Sequence, residues 1–187
     1  MFGSEELRKW EERVRNFMRK AGVESEKLEY CCELKIDGLK VIMTYEKGKL
    51  IQAATRGDGT VGEDVTHNIR TIKAIPLTLK RPEDLIAVGE VWMSTGDLAR
   101  VNKERAAAGE PLYANTRNLA AGSLRQLDPK ITASRNLNSF AYDIDRIAKV
   151  PPTQEGELEL LGSLGFSVNP YHKVCTSLEE VEQYYAE

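Results

Sequence analysis

Long apolar runs, histidine and cysteine are all scarce in this chain of 187 residues. No apolar stretch approaches the roughly 20 residues of a membrane-spanning helix, so no membrane segment is expected. The first ten residues carry Glu5, Glu6, Arg8 and Lys9 and no apolar core, which excludes a secretory signal peptide there. A cytoplasmic location is the expectation. The 3 cysteines are the adjacent Cys31 and Cys32 and the distant Cys175. An odd number without CxxC spacing suggests neither a disulfide framework nor a zinc site. With only 2 histidines, His67 and His172, histidine-rich metal chemistry is not expected either, and no metal-ligand set is assigned.

What is present suffices for a folded domain. The chain is 41% hydrophobic and 29% charged, enough to bury a core. The net charge of −3 is unevenly spread. Between positions 96 and 135, Arg100, Lys103, Arg105, Arg117, Arg125, Lys130 and Arg135 outnumber four acids, whereas 151–187 holds seven acids and Lys173 alone. Such a chain is no general nucleic-acid coater. Its basic middle suits a local phosphate site, and equally ordinary solvated charge.

The periodicity predicts a mixed domain. Ser4 is placed to cap an amphipathic helix carrying Leu7, Trp10, Val14, Phe17 and Met18 and ending near Ala21-Gly22. Strands are expected over 30–36, 39–45 and 50–55, the last two joined by a Lys47-Gly48 turn, and again over 85–93, 137–144 and 166–174. The segment 63–75 reads as a short helix or irregular chain. Further helices are expected from the Ser94-Thr95 cap to Ala108, over 115–127 up to Pro129, over 155–164, and after a Ser177/Glu180 capping box. Hairpins mixed with helices indicate an α+β fold with mainly antiparallel sheet.

Four stretches carry chemistry. In Cys32-Glu33-Leu34-Lys35-Ile36-Asp37-Gly38, a continuous strand would put Glu33, Lys35 and Asp37 on one face and Leu34 and Ile36 in the core. A lysine is a nucleophile when its amine is kept partly neutral. The same pattern also suits a solvated strand face with an ion pair. Arg56 to Asn68 holds three glycines in six residues, which permits close approach of backbone to a ligand or simply a hairpin loop. It lacks the Gly-Lys-Ser/Thr ending of a P-loop. Glu90, in Gly89-Glu90-Val91, could accept from ribose hydroxyls or be an ordinary edge-strand carboxylate. In Asn115 to Pro129, Arg117 and Arg125 lie near two helical turns apart and can share a face suited to phosphates. Two exposed arginines on a plain helix are the alternative.

Taken in this order, the four stretches resemble the adenylation domain of bacterial NAD-dependent DNA ligases. Lys35-Ile36-Asp37-Gly38 looks like the family's Lys-x-Asp-Gly motif, which ATP-dependent ligases and capping enzymes share. The segments 53–75 and 115–129 are more specific to the NAD-dependent branch. The resemblance implies a nucleotidyltransferase fold, with an N-terminal helix and linker over 1–28 and a partial adenylation domain over 29–187. It implies that Lys35 attacks NAD to form a lysyl-AMP, that AMP passes to the 5′-phosphate of nicked double-stranded DNA, and that Mg²⁺ assists. By the same resemblance, Lys35 and Asp37 are catalytic. Glu33, Gly38, Arg56 and Glu90 join Lys35 in binding NAD or its AMP, and Arg117 and Arg125 engage DNA.

Thr116 stands where the family usually has proline, and Val88 where it usually has arginine. The nicotinamide-mononucleotide module and the later lysine-bearing strands of the family are not found in these residues. The chain is therefore expected to be an incomplete, monomeric part of a ligase with little activity alone. A non-catalytic module binding adenosine or nicked DNA is the alternative.

Overall fold

The structure, a computed structural model, describes residues 3–23 and 27–187. The order of elements is α1 (Ser4–Lys20), β1 (Tyr30–Glu33), β2 (Leu39–Glu46), β3 (Lys49–Thr55), α2 (Thr66–Ile69), β4 (Leu85–Trp92), α3 (Thr95–Ala107), α4 (Thr116–Leu124), α5 (Pro129–Ser134), β5 (Asn138–Ile147), α6 (Gln154–Leu164), β6 (His172–Cys175) and α7 (Leu178–Ala186). All strand pairs are antiparallel. This is the α+β architecture that the patterning predicts.

The chain divides into two compact units: Met1–Leu34 with Pro170–Glu187, and Lys35–Asn169. The division differs from the expected 28/29 boundary because the first unit recruits the end of the chain. There β1 pairs with β6, Tyr30 opposite Cys175 and Glu33 opposite His172. The Tyr30 hydroxyl donates to Glu11 of α1 at 2.8 Å, and its ring meets Trp10. Cys32 and Cys175 lie 3.8 Å apart at sulfur as thiols, and burial pushes the Cys32 thiol up to about 11. Residues 24–26 of the expected linker lie outside the described residues.

The second unit carries the main core. Its sheet has the order β3-β2-β4-β5. Alternation puts Val41, Met43, Tyr45, Ala87 and Val91 on one face, where they meet Ile69, Leu119, Leu124, Leu161 and Leu164 from the helices. Tyr45 crosses Phe166 edge-to-face and donates its hydroxyl to the Pro76 carbonyl at 2.8 Å. The β2–β3 hairpin turns at Lys47-Gly48, both with positive φ, as a two-residue turn of the right twist requires.

Several local expectations are corrected. Gly3, not Ser4, is the N-cap of α1, and its N–H is held by the Glu6 carboxylate at 3.2 Å. Pro129 opens α5 at the first helical position, which needs no N–H, while α4 has already ended at Leu124. The strand expected over 166–174 is confined to His172–Cys175, where β1 offers a partner. At the Ser177 cap, the Glu180 N–H donates to Ser177, but the Glu180 carboxylate accepts from the Thr176 N–H instead of from that of the cap residue.

The end of α4 is fixed by one buried side chain. Asn68 of α2 donates to the carbonyls of Leu124 and Gln126 at 2.6 and 2.8 Å. These would otherwise be orphan acceptors at a helix C-terminus. Asn68→Ala is expected to lower unfolding free energy by about 1–3 kcal/mol, the cost of unsatisfied buried groups. Urea denaturation of the two proteins checks this; an unchanged midpoint contradicts it.

Candidate functional site

The sheet face opposite the core borders an open cleft of about 540 Å³, lined by Lys35, Lys40, Arg56, Asp58, Glu90, Arg117, Arg125 and Tyr142 among others. All of these residues belong to the unit Lys35–Asn169.

The floor is set by β4. Glu90 faces Lys40 on β2 and Phe140 on β5, so it sits on an inner strand. That removes the edge-strand reading. Glu90 is only 9% exposed. Burial holds its carboxyl above the ordinary range, opposed by the Arg117 charge, by a hydrogen bond from the Gly38 N–H and by the Lys35 charge.

Gly38 explains how Lys35 arrives. A Cβ at this position would overlap the Val91 carbonyl oxygen and stand 2.9 Å from Glu90 Cγ. Only glycine lets the chain lie so close to β4. The expected strand does not run through this segment. β1 ends at Glu33, and Leu34 is 50% exposed rather than in the core. Ile36 is half-buried. Residues 34–38 join one sheet to the other and have no ladder partner of their own. Strand alternation therefore does not place Glu33, Lys35 and Asp37 on a common face. Glu33 belongs to the other compact unit.

The Arg56 loop forms one wall. Asp64 bridges Ala54, and Thr55 N–H donates to the Glu63 carbonyl at 2.9 Å, so residues 56–62 close as a loop. Gly57 has φ +55°. A Cβ there would meet the Val61 carbonyl, and one at Gly62 would meet the Thr55 carbonyl. Asp58 Oδ1 accepts from Thr60 and Val61 N–H at 2.8 Å each, which holds its carboxyl below the usual range.

The two arginines come from opposite ends of α4. Asn115 caps the helix by accepting from Asn118 N–H at 2.7 Å, and Arg117 follows in the first turn. Its Nη1 lies 3.5 Å from Asp37 Oδ1. Arg125 is the C-cap residue, placed by Asn68, with its Nε 2.6 Å from Glu63 Oε2. Both pairs are about half exposed and orient side chains more than they stabilise. Small residues let α4 pack closely: Gly122 lies against the Tyr113 ring, and Ala120 is fully buried.

Lys35, Arg56, Glu90, Arg117 and Arg125 thus meet around one cleft, with Asp37 and Gly38 beside them. Lys40 and Tyr142 were not singled out from sequence. Their approach to the site depends on β2–β4 and β4–β5 register, for which no local motif exists. A cleft with five cationic side chains and two carboxylates, Asp58 and Glu90, suits an anion such as a phosphate.

A family model described as the NAD-dependent DNA ligase adenylation domain matches residues 1–187. The chain belongs to this family. It is 49% identical over 185 residues to a DNA ligase of Carboxydothermus hydrogenoformans, covering 98% of this chain and 27% of that protein. It is 47% identical over 187 residues to a DNA ligase of Bacillus thuringiensis strain Al Hakam, covering 100% of this chain and 27% of the relative. The chain therefore spans about a quarter of the length of these ligases. The α+β fold with antiparallel sheets agrees with membership of the family.

The Glu90 carboxyl yields a test of the site's floor. Its folded-state pKa is raised, so the folded chain holds this proton more tightly than the unfolded chain. Its contribution to stability is full below the unfolded value of about 4.3 and is lost as pH rises through the folded pKa. Relative to Glu90→Gln, the wild type is expected to lose stability as pH rises through that window. Denaturation midpoints of both proteins across pH check the sign; a difference that grows in favour of the wild type contradicts it.

Proposed function

We propose that this chain is the nucleotide-binding core of an NAD-dependent DNA ligase, with Lys35 as the nucleophile. The observation that carries this reading is the meeting of Lys35 with Arg56, Glu90 and Arg117 in a single cationic cleft. In the proposed first step, the neutral Lys35 amine attacks the α-phosphorus of NAD. A P–N bond forms, the P–O bond to nicotinamide mononucleotide breaks, and the leaving group takes the electron pair. The nitrogen gives up a proton, leaving a lysyl-AMP.

Phosphoryl transfer depends more on positioning and charge neutralisation than on acid–base relays. Arg56 would hold the adenylate and Glu90 the ribose. Asp37 would act near the reacting ends, steadied by Arg117. Glu33 is proposed on the resemblance alone as the adenine contact. In the intact enzyme the AMP would pass to the 5′-phosphate of nicked duplex DNA, with Arg117 and Arg125 on the DNA phosphates, and the 3′-hydroxyl would displace it.

Asp37 meets Arg117, which lines the same cleft as Glu90. Two such carboxylates fit Mg²⁺, which takes its other ligands from water and substrate phosphates. When bound, it would neutralise phosphate charge. No helix among the described residues is long and apolar enough to cross a membrane. A cytoplasmic, monomeric protein remains the proposal.

The test is incubation of the chain with NAD and Mg²⁺, followed by intact-mass measurement and peptide mapping. The expected outcome is a small fraction of one-AMP adduct, confined to Lys35 and abolished by Lys35→Ala. An adduct that survives the substitution contradicts the assignment, and efficient conversion contradicts the expected low activity of this part alone.

A further inference from the structure

Lys40 is a cation in the cleft to which none of the motifs gives a role. It stands on β2 directly opposite Glu90 of β4. It is half-buried, and it lines the same cleft as Lys35 and Arg56. Residues directly opposite on antiparallel strands project from the same face, with Cβ atoms about 5 Å apart. An ion pair with Glu90 would be the simplest use of this lysine, but the structure does not form one. Glu90 instead takes its hydrogen bond from Gly38 N–H and feels the charges of Arg117 and Lys35. The other carboxylate of the lining, Asp58, is turned to the N–H groups of Thr60 and Val61. Arg117 and Arg125 are matched by Asp37 and Glu63. Among the described residues no carboxylate pairs with Lys40.

Lys40 is half-buried as a residue, and its ammonium has three donors and no acceptor. Held beside a second lysine and an arginine, it needs an anion from outside the chain. We propose that Lys40 is a phosphate-positioning residue of this cleft, its ammonium taking an oxygen of the nucleotide's phosphate. The inference rests on the reading of the cleft as a nucleotide site. Lys40 is distinct from the nucleophile: it binds charge and transfers nothing. A sugar hydroxyl or a base edge would leave the charge of Lys40 unmatched, whereas a phosphate oxygen meets both its charge and its donors.

The experiment is equilibrium dialysis of the full chain with AMP and, separately, with adenosine, at low ionic strength. Lys40→Met is expected to weaken AMP binding about tenfold, the scale of one charge-assisted hydrogen bond, and to leave adenosine binding unchanged. Lys40→Arg, which keeps the charge, is expected to retain most of the AMP affinity. Unchanged AMP affinity in Lys40→Met overturns the inference. Equal loss for AMP and adenosine also overturns it, because the residue would then serve the nucleoside or the fold. A wild-type chain that binds neither compound overturns the nucleotide reading of the cleft, and Lys40's role with it.

Discussion

The site depends on a contact that leaves no room for a side chain. Gly38 lies against Glu90 and the Val91 carbonyl so closely that any Cβ would collide with the strand. The contact ties the segment carrying Lys35 and Asp37 to β4, whose other face is in the core with Val91 fully buried. The Gly38 N–H also opposes the burial that raises the Glu90 carboxyl. Backbone proximity and electrostatics at Glu90 are thus one arrangement.

Around this anchor the cleft is assembled from elements distant in sequence, each fixed by side-chain-to-backbone hydrogen bonds rather than by its exposed ion pairs. Asn68 secures the carboxyl end of α4 and so places Arg125. The start of the same helix is set by the Asn115 cap, and Asn102 grips the backbone of Tyr113 just before it, at 2.9 Å in both directions. The half-exposed pairs Arg117–Asp37 and Arg125–Glu63 then aim side chains whose positions are already decided. Each exposed pair contributes roughly 0–1 kcal/mol, too little to build a site alone. The side-chain-to-backbone hydrogen bonds provide the rigidity that phosphoryl chemistry demands of its positioning groups.

Much of this is legible in the sequence because periodicity and capping are local. The hairpin at Lys47-Gly48, the Ser94 cap and the glycine-rich loop all follow from residue types at fixed spacings. The stretch 30–38 misleads for a physical reason. Its alternation is that of a strand, but ladder partners exist only for Tyr30–Glu33, and the next strand begins at Leu39 on another sheet. Register is equally hidden from a single chain of letters. Lys40 meets Glu90 and Phe140 neighbours it through pairings between segments some fifty residues apart, so neither Lys40 nor Tyr142 stood out. The motifs identified Gly38 as part of a pattern, and the fold supplies the reason that it must be glycine.

The account's central claim is that this cleft, anchored at Gly38, receives a nucleotide. The most direct measurement is an AMP titration followed by amide chemical shifts across the whole chain. The account predicts that the largest changes fall at Gly38, Arg56, Gly57 and Glu90, lining or abutting the cleft and contributed by separate elements. Saturable changes elsewhere with these amides unmoved would contradict it.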